Sequence, residues 1–137
     1  MLPVLFGYLA GSVPFAFLLA RRAGIDVRVW YVALNSPEFH IARVRARVSR
    51  GGHDIPEREI RRRYDASRHN LIELLPRLAS LRVYDNSNDA DPAESVAPSP
   101  VLLLHMERGR VEYNCEPAFV PEWAKPIVLI AFGNATR

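Results

Sequence analysis

The stretch VRVWYVALNSPE, residues 27–38, decides the fold. Residues 27–34 are β-branched and aromatic, and apolar throughout their second half, which predicts a strand buried on both faces. The run stops at Asn35, Ser36, Pro37 and Glu38. Asn35 or Ser36 can accept the first free amides of a helix, Pro37 suits a first helical position, and Glu38 complements the helix dipole. A strand therefore turns directly into a helix, and the alternation continues along the chain as in an α/β protein.

Within that helix Ile41, Val44 and Val48 share one face, while Arg43, Arg47 and Arg50 line another, so the apolar stripe packs and the arginine stripe is presented. Gly51-Gly52 breaks the helix, and Asp54-x-x-Glu57 around Pro56 has capping-box spacing for the next. Ile60, Tyr64, Leu71, Leu74 and Leu78 recur at helical intervals to about residue 79, with a kink expected near Pro76. Arg58, Arg61, Arg62, Arg63 and Arg68 decorate this segment. Two arginine-bearing helices joined by a Gly-Gly hinge have the form of a mobile lid. Beyond them come a strand over 81–85, a polar loop over 86–100 and a strand over 101–106. Glu107-Arg108-Gly109 then turns the chain into a hairpin strand over 110–113, and a last helix over 121–132 is interrupted at Pro126.

Upstream, residues 1–20 carry no ionisable side chain apart from Tyr8 and end at Arg21 and Arg22. That length can cross a bilayer as a helix, although Pro3, Gly7, Gly11 and Pro14 weaken one. The alternative is a packed helix over 15–22 lying on a sheet, with Gly24 as its left-handed cap. Residues 1–25 thus form an apolar N-terminal segment, membrane anchor or packed helix, and 26–137 the α/β part.

The chain has 137 residues, enough for one domain, and a single cysteine, Cys115, which excludes a disulfide framework and a multi-cysteine zinc site. A reduced, cytoplasmic location is expected, with membrane association through residues 1–20 as the alternative. Arginine supplies 17 of the 18 basic residues, and Lys125 the other, which favours planar contacts to phosphate or carboxylate. Residues 21–82 carry a net charge of +7 and residues 83–137 one of −4, so anionic ligands should meet the middle segment. The basic segment lacks interleaved aromatic residues and any reading motif, which disfavours nucleic acid. His40, His53, His69 and His105 show no metal-ligand spacing, and Ser67 with His69 lacks the third group of a hydrolase triad. Cys115 reads as a small packed residue.

Residues 30–38 (WYVALNSPE), 43–56 (RVRARVSRGGHDIP), 62–64 (RRY), 82–87 (RVYDNS) and 123–126 (WAKP) resemble the zeta-toxin-like P-loop kinases, in particular their bacterial chromosomal branch. The resemblance runs from about Trp30 to the end and is most specific over 43–64. It implies an incomplete P-loop NTPase-like, doubly wound α/β sheet with an arginine-rich helical lid and a C-terminal hairpin plus helix. It also implies ATP and magnesium, and a small metabolite such as the sugar nucleotide UDP-N-acetylglucosamine as acceptor. Two lid arginines of that family contact the ATP phosphates, and Arg50 and Arg63, on either side of the Gly-Gly hinge, match them. By the same resemblance Asp85 and Asn86 border the nucleotide base; the local alternative is an Asx turn. No GxxxxGK[ST] occurs in residues 1–137, so the phosphate nest, its lysine and its magnesium-binding hydroxyl have no counterpart and catalysis is not expected. A non-catalytic interaction module, with a protein partner at an exposed sheet edge, is the expectation from a different class. Residues 7–28, with GSVPF and the tail RRAGIDVR, resemble the first membrane segment of the bacterial acyl-phosphate-dependent glycerol-3-phosphate acyltransferases. That family's glycine- and asparagine-rich phosphate loop is replaced by Trp30-Tyr31-Val32, so its activity does not carry over.

Overall fold

Four strands and three helices follow one another in a computed structural model that describes residues 20, 22–88 and 99–135. The order is β1 (Arg28–Ala33), α1 (Pro37–Val48), α2 (Glu57–Leu74), β2 (Ser80–Asp85), β3 (Val101–Glu107), β4 (Arg110–Asn114) and α3 (Lys125–Ala135). The strands form an open mixed sheet in the order β1-β2-β3-β4. β1 runs parallel to β2, with Arg28 opposite Ser80 and Ala33 opposite Asp85, whereas β2–β3 and β3–β4 are antiparallel. The parallel pair requires a crossover, and α1 with α2 provides it. The chain is therefore of mixed α/β class.

Local chemistry accounts for the boundaries. Ser36 accepts a hydrogen bond from the amide of Phe39 at 3.3 Å, Pro37 occupies the first turn and Glu38 faces the dipole, as the 35–38 pattern predicts. Gly51, at φ +88, ends α1 in the left-handed region, and the amide of Gly52 returns to the carbonyl of Arg47. A Cβ at Gly52 would lie 2.6 Å from Arg47 Cγ, so glycine is required there by close approach. The capping box at Asp54 does not form: Pro56 precedes the first helical residue and α2 has no side-chain cap. Glu57 instead pairs with Arg45 of α1, an ion pair that the local pattern could not reveal. The kink expected at Pro76 is a short 3-10 turn over Leu75–Arg77 that ends α2. Arg108 and Gly109, at φ 47 and 78, make the two-residue hairpin turn between β3 and β4. Pro126 lies in the first turn of α3 and does not interrupt it.

α2, its 3-10 turn and α3 pack on one sheet face, where Leu75, Leu81, Val83, Leu104, Met106 and Ile127 are fully buried. The expectation that β1 is buried on both faces is corrected. Val29, Tyr31 and Ala33 point inward, but Trp30 is 70% and Val32 51% exposed on the opposite face. A sheet covered on one face alternates in this way. Among the described residues that second face carries no helix, so a doubly wound arrangement is not seen there.

Among the described residues no helix is long and apolar enough to cross a membrane. The membrane-anchor expectation for residues 1–20 lies outside the described residues, except for Ala20.

Candidate functional site

The carboxyl ends of β1 and β2 lie side by side, the place where open α/β sheets commonly hold ligands. Asn35–Ser36 leads from β1 into α1, and Asn86–Ser87 leaves β2. The two loops are tied together: the amide of Asn35 donates to Ser87 Oγ at 2.7 Å, and Arg43 Nη2 donates to the carbonyl of Asn86 at 2.7 Å. Val32, His40, Arg43, Arg47 and Asn86 line a cleft of about 500 Å³ there. Burial is the main cause that pushes the His40 imidazole below its ordinary value, and Arg43 and Arg68 add to it.

Tyr64 sets the position of the helical pair. Its hydroxyl donates to the carbonyls of Leu34 (3.2 Å) and Asn35 (2.8 Å), just past the end of β1. The Arg68 guanidinium lies 3.7 Å from its ring centroid, and His40 meets the ring edge-on at 5.8 Å. One turn further along α2, Ser67 and the Tyr31 hydroxyl are 2.9 Å apart, which fastens the helix to β1 itself. Burial raises the Tyr31 phenol above its ordinary value. Because Tyr64 sits level with the strand end, the first turns of α2 extend roughly 10 Å beyond the sheet at 1.5 Å per residue. α1 packs on α2, and its Arg45 and Glu38 reach Glu57 and Arg61 in that projecting part. The two helices and the Gly51-Gly52 link thus form an arm over the carboxyl edge.

The arm's arginines divide into three sets. Arg45 pairs with Glu57, Arg61 with Glu38 at 2.6 Å, Arg62 with Glu59 at 2.7 Å, and Arg68 with Asp65 at 2.8 Å. Hydrogen bonding to Arg61 and to Arg62 holds the Glu38 and Glu59 carboxyls, respectively, below the usual carboxylate range. Arg43 and Arg47 donate to backbone carbonyls, of Asn86 and of His53. Among the described residues, Arg50, Arg58 and Arg63 of this arm have no carboxylate partner, and all three are exposed. Arg50 follows the end of α1 and Arg63 lies in the projecting part of α2, on either side of the hinge.

Asp85 and Asn86 stand at the strand end where sequence placed them. Asp85 Oδ1 accepts from the Ser87 amide at 3.1 Å and from its hydroxyl, which is an Asx turn. Asn86 Oδ1 is buried without a hydrogen-bond partner, beside the cleft. No cluster of three His, Cys, Asp or Glu side chains suited to a metal occurs among the described residues. Cys115 is half-buried against the core, and burial pushes its thiol up. Sequence reading named Tyr64, Ser67 and His40 but missed that they position the arm, because their partners are backbone carbonyls, a ring and the Tyr31 hydroxyl distant in the chain.

A comparison with family models, curated proteins and solved structures finds no match for this chain.

Proposed function

We propose that this chain is a remnant of a zeta-toxin-type, ATP-dependent sugar-nucleotide kinase, which binds nucleotide phosphates through its arginine arm and does not transfer a phosphoryl group. The observation that carries this reading is the division of the arm's arginines. Arg45, Arg61, Arg62 and Arg68 are neutralised by carboxylates, while Arg50 on one side of a glycine hinge and Arg58 and Arg63 on the other stay exposed without one among the described residues, and the family resemblance selects Arg50 and Arg63. Guanidinium groups donate to phosphate oxygens in pairs and keep their charge when a closing arm excludes water. Closure about Gly51-Gly52 would bring Arg50 and Arg63 onto an anion above the strand ends, with α2 held by Tyr64 and Tyr31.

Turnover needs more than this. Phosphoryl transfer relies on a cradle for the β and γ phosphates, a bridging magnesium and an oriented acceptor hydroxyl. The sequence contains no Walker A motif. The arm contributes binding and closure alone, in the cytoplasm, to ATP or to a sugar nucleotide.

The test is a nucleotide titration followed by amide chemical shifts, together with an activity assay. ATP should shift resonances within residues 43–64, and incubation with ATP, magnesium and UDP-N-acetylglucosamine should give no phosphorylated sugar. Absence of shifts in that segment would overturn the binding assignment. Stoichiometric product, abolished by Arg63→Ala, would overturn the non-catalytic assignment.

A further inference from the structure

The outer sheet face sets planar and cationic side chains side by side. Trp30 lies opposite Arg82, Arg82 opposite His105 and His105 opposite Tyr113, one row across all four strands. Trp30 and Tyr113, at the two ends of the row, are 70% and 46% exposed. The Arg82 guanidinium is 5.6 Å from the Trp30 ring centroid, and the Tyr84 ring lies 6.3 Å from the same ring, tilted by 55°. The next row toward the amino end of β1 holds Arg28, Ser80, Glu107 and Arg110, with Arg28 and Glu107 3.4 Å apart.

Side chains two apart on a strand share a face. Arg28 and Trp30 on β1, and Arg82 and Tyr84 on β2, therefore each present a cation and a ring to the same side. On β4 a bulge at Glu112 brings Arg110 and Tyr113, three apart, to that side as well. Rings and arginines interleave across the sheet only once the strands pair, so the order of the arm's arginines along the chain gives no sign of it.

An occupant of this face must offer flat rings to Trp30 and Tyr113 and anionic groups to the three arginines. The unpaired bases and the phosphates of a single nucleic-acid strand do both, whereas the bases of a duplex are already stacked. A second copy of the same face would set arginine against arginine. Glu107, partly exposed in the neighbouring row, is an acceptor for the ribose 2′-hydroxyl that deoxyribose lacks.

We propose that the outer face binds single-stranded RNA, with bases stacked on Trp30 and Tyr113 and phosphates held by Arg28, Arg82 and Arg110. The row crosses four strands, a span of roughly 14 Å, which suits the two or three bases that a four-stranded sheet of this kind stacks. None of these residues belongs to the arm, so this binding is independent of the nucleotide reading.

The experiment follows the anisotropy of a short fluorescein-labelled oligouridylate as the full chain is added, together with acrylamide quenching of Trp30; Trp123 is buried from the quencher. Trp30 should be open to acrylamide in the free protein and protected by the RNA. Trp30→Leu and Tyr113→Leu should each raise Kd roughly 5–150-fold, the range for losing one stacked base. Arg82→Ala should flatten the slope of log affinity against log salt by about 0.7, and Arg58→Ala on the arm should change affinity little. The same RNA annealed to oligoadenylate, and the corresponding DNA strand, should bind several-fold more weakly. No binding of the oligouridylate, duplex or DNA bound as tightly as the single RNA strand, or a loss with Arg58→Ala equal to that with Trp30→Leu would overturn the proposal. So would Trp30 already shielded in the free protein, which would mean that another segment of the chain or a second copy covers the face. If Trp30→Leu does not fold, Tyr113→Leu and the protection of Trp30 in the unaltered chain decide.

Discussion

Removing one hydroxyl should loosen the arm while sparing the core. In Tyr64→Phe the ring keeps its place between Arg68 and His40, but the donor to the carbonyls of Leu34 and Asn35 is gone. A hydrogen bond of this kind contributes about 0.5–1.5 kcal/mol net. For a domain of this size that corresponds to a fall in Tm of roughly 2–8 °C. Tyr64→Ala also removes the cation–π contact and the ring's packing, and should cost about 2–4 kcal/mol in all. Urea denaturation followed by far-UV circular dichroism gives the stability. Hydrogen exchange then shows where it is lost: α1 and the first turns of α2 should exchange faster, while β2 and β3 stay protected. A Tyr64→Phe variant as stable as wild type, with unchanged exchange in α1, would refute the idea that this hydroxyl holds the arm to the sheet.

Further outcomes follow from the same geometry. Gly51→Ala, at φ +88 with open space around it, should cost about 1–2 kcal/mol from backbone strain alone. Gly52→Ala should cost a similar or larger amount, about 1–3 kcal/mol, because its Cβ meets Arg47; equal stability of all three proteins in urea would contradict both. Ile127→Ala, fully buried under the sheet, should lose about 2–5 kcal/mol, measured in the same way. The His40 imidazole lies below its ordinary value in the fold, so the unfolded chain binds the proton more readily. Its contribution is therefore complete above about pH 6.5 and is lost as pH falls through the window beneath, and His40→Gln should flatten the stability profile there.

The sequence carried the parts of the fold that depend on near neighbours. Ser36-Pro37-Glu38 starts a helix, Gly51 stops it, and Arg108-Gly109 closes a hairpin, because each acts within a few residues of its partners. The open face was illegible for a physical reason: Trp30 and Val32 have the composition of buried residues, and nothing local records that their side of the sheet lacks a described cover. Helix α2 begins without the predicted cap because Pro56 stands at its N-cap, and Glu57, its first residue, pairs with Arg45 across the hinge, a tertiary contact. The arginine stripe was visible, but which arginines are neutralised was not. Arg61 finds Glu38 on the other helix, 23 residues away, and that choice depends on how α1 and α2 pack. Asp85 was legible as an Asx turn; the arrangement of Tyr64 with Leu34 and Asn35 was not.

The central claim is that Arg50 and Arg63 form a specific phosphate-binding pair within a basic arm. Calorimetric titration of ATP into wild type, Arg50→Ala, Arg63→Ala, Arg45→Ala and Arg82→Ala tests it directly. Arg45 is already paired with Glu57, and Arg82 lies 5.6 Å from the Trp30 ring on the sheet's outer face. Each charge-assisted contact should contribute about 1.5–3 kcal/mol, so loss of Arg50 or Arg63 should raise Kd roughly 10–150-fold. Loss of Arg45 or Arg82 should change it little. Equal weakening by all four substitutions, or no measurable ATP binding by wild type, would contradict the account.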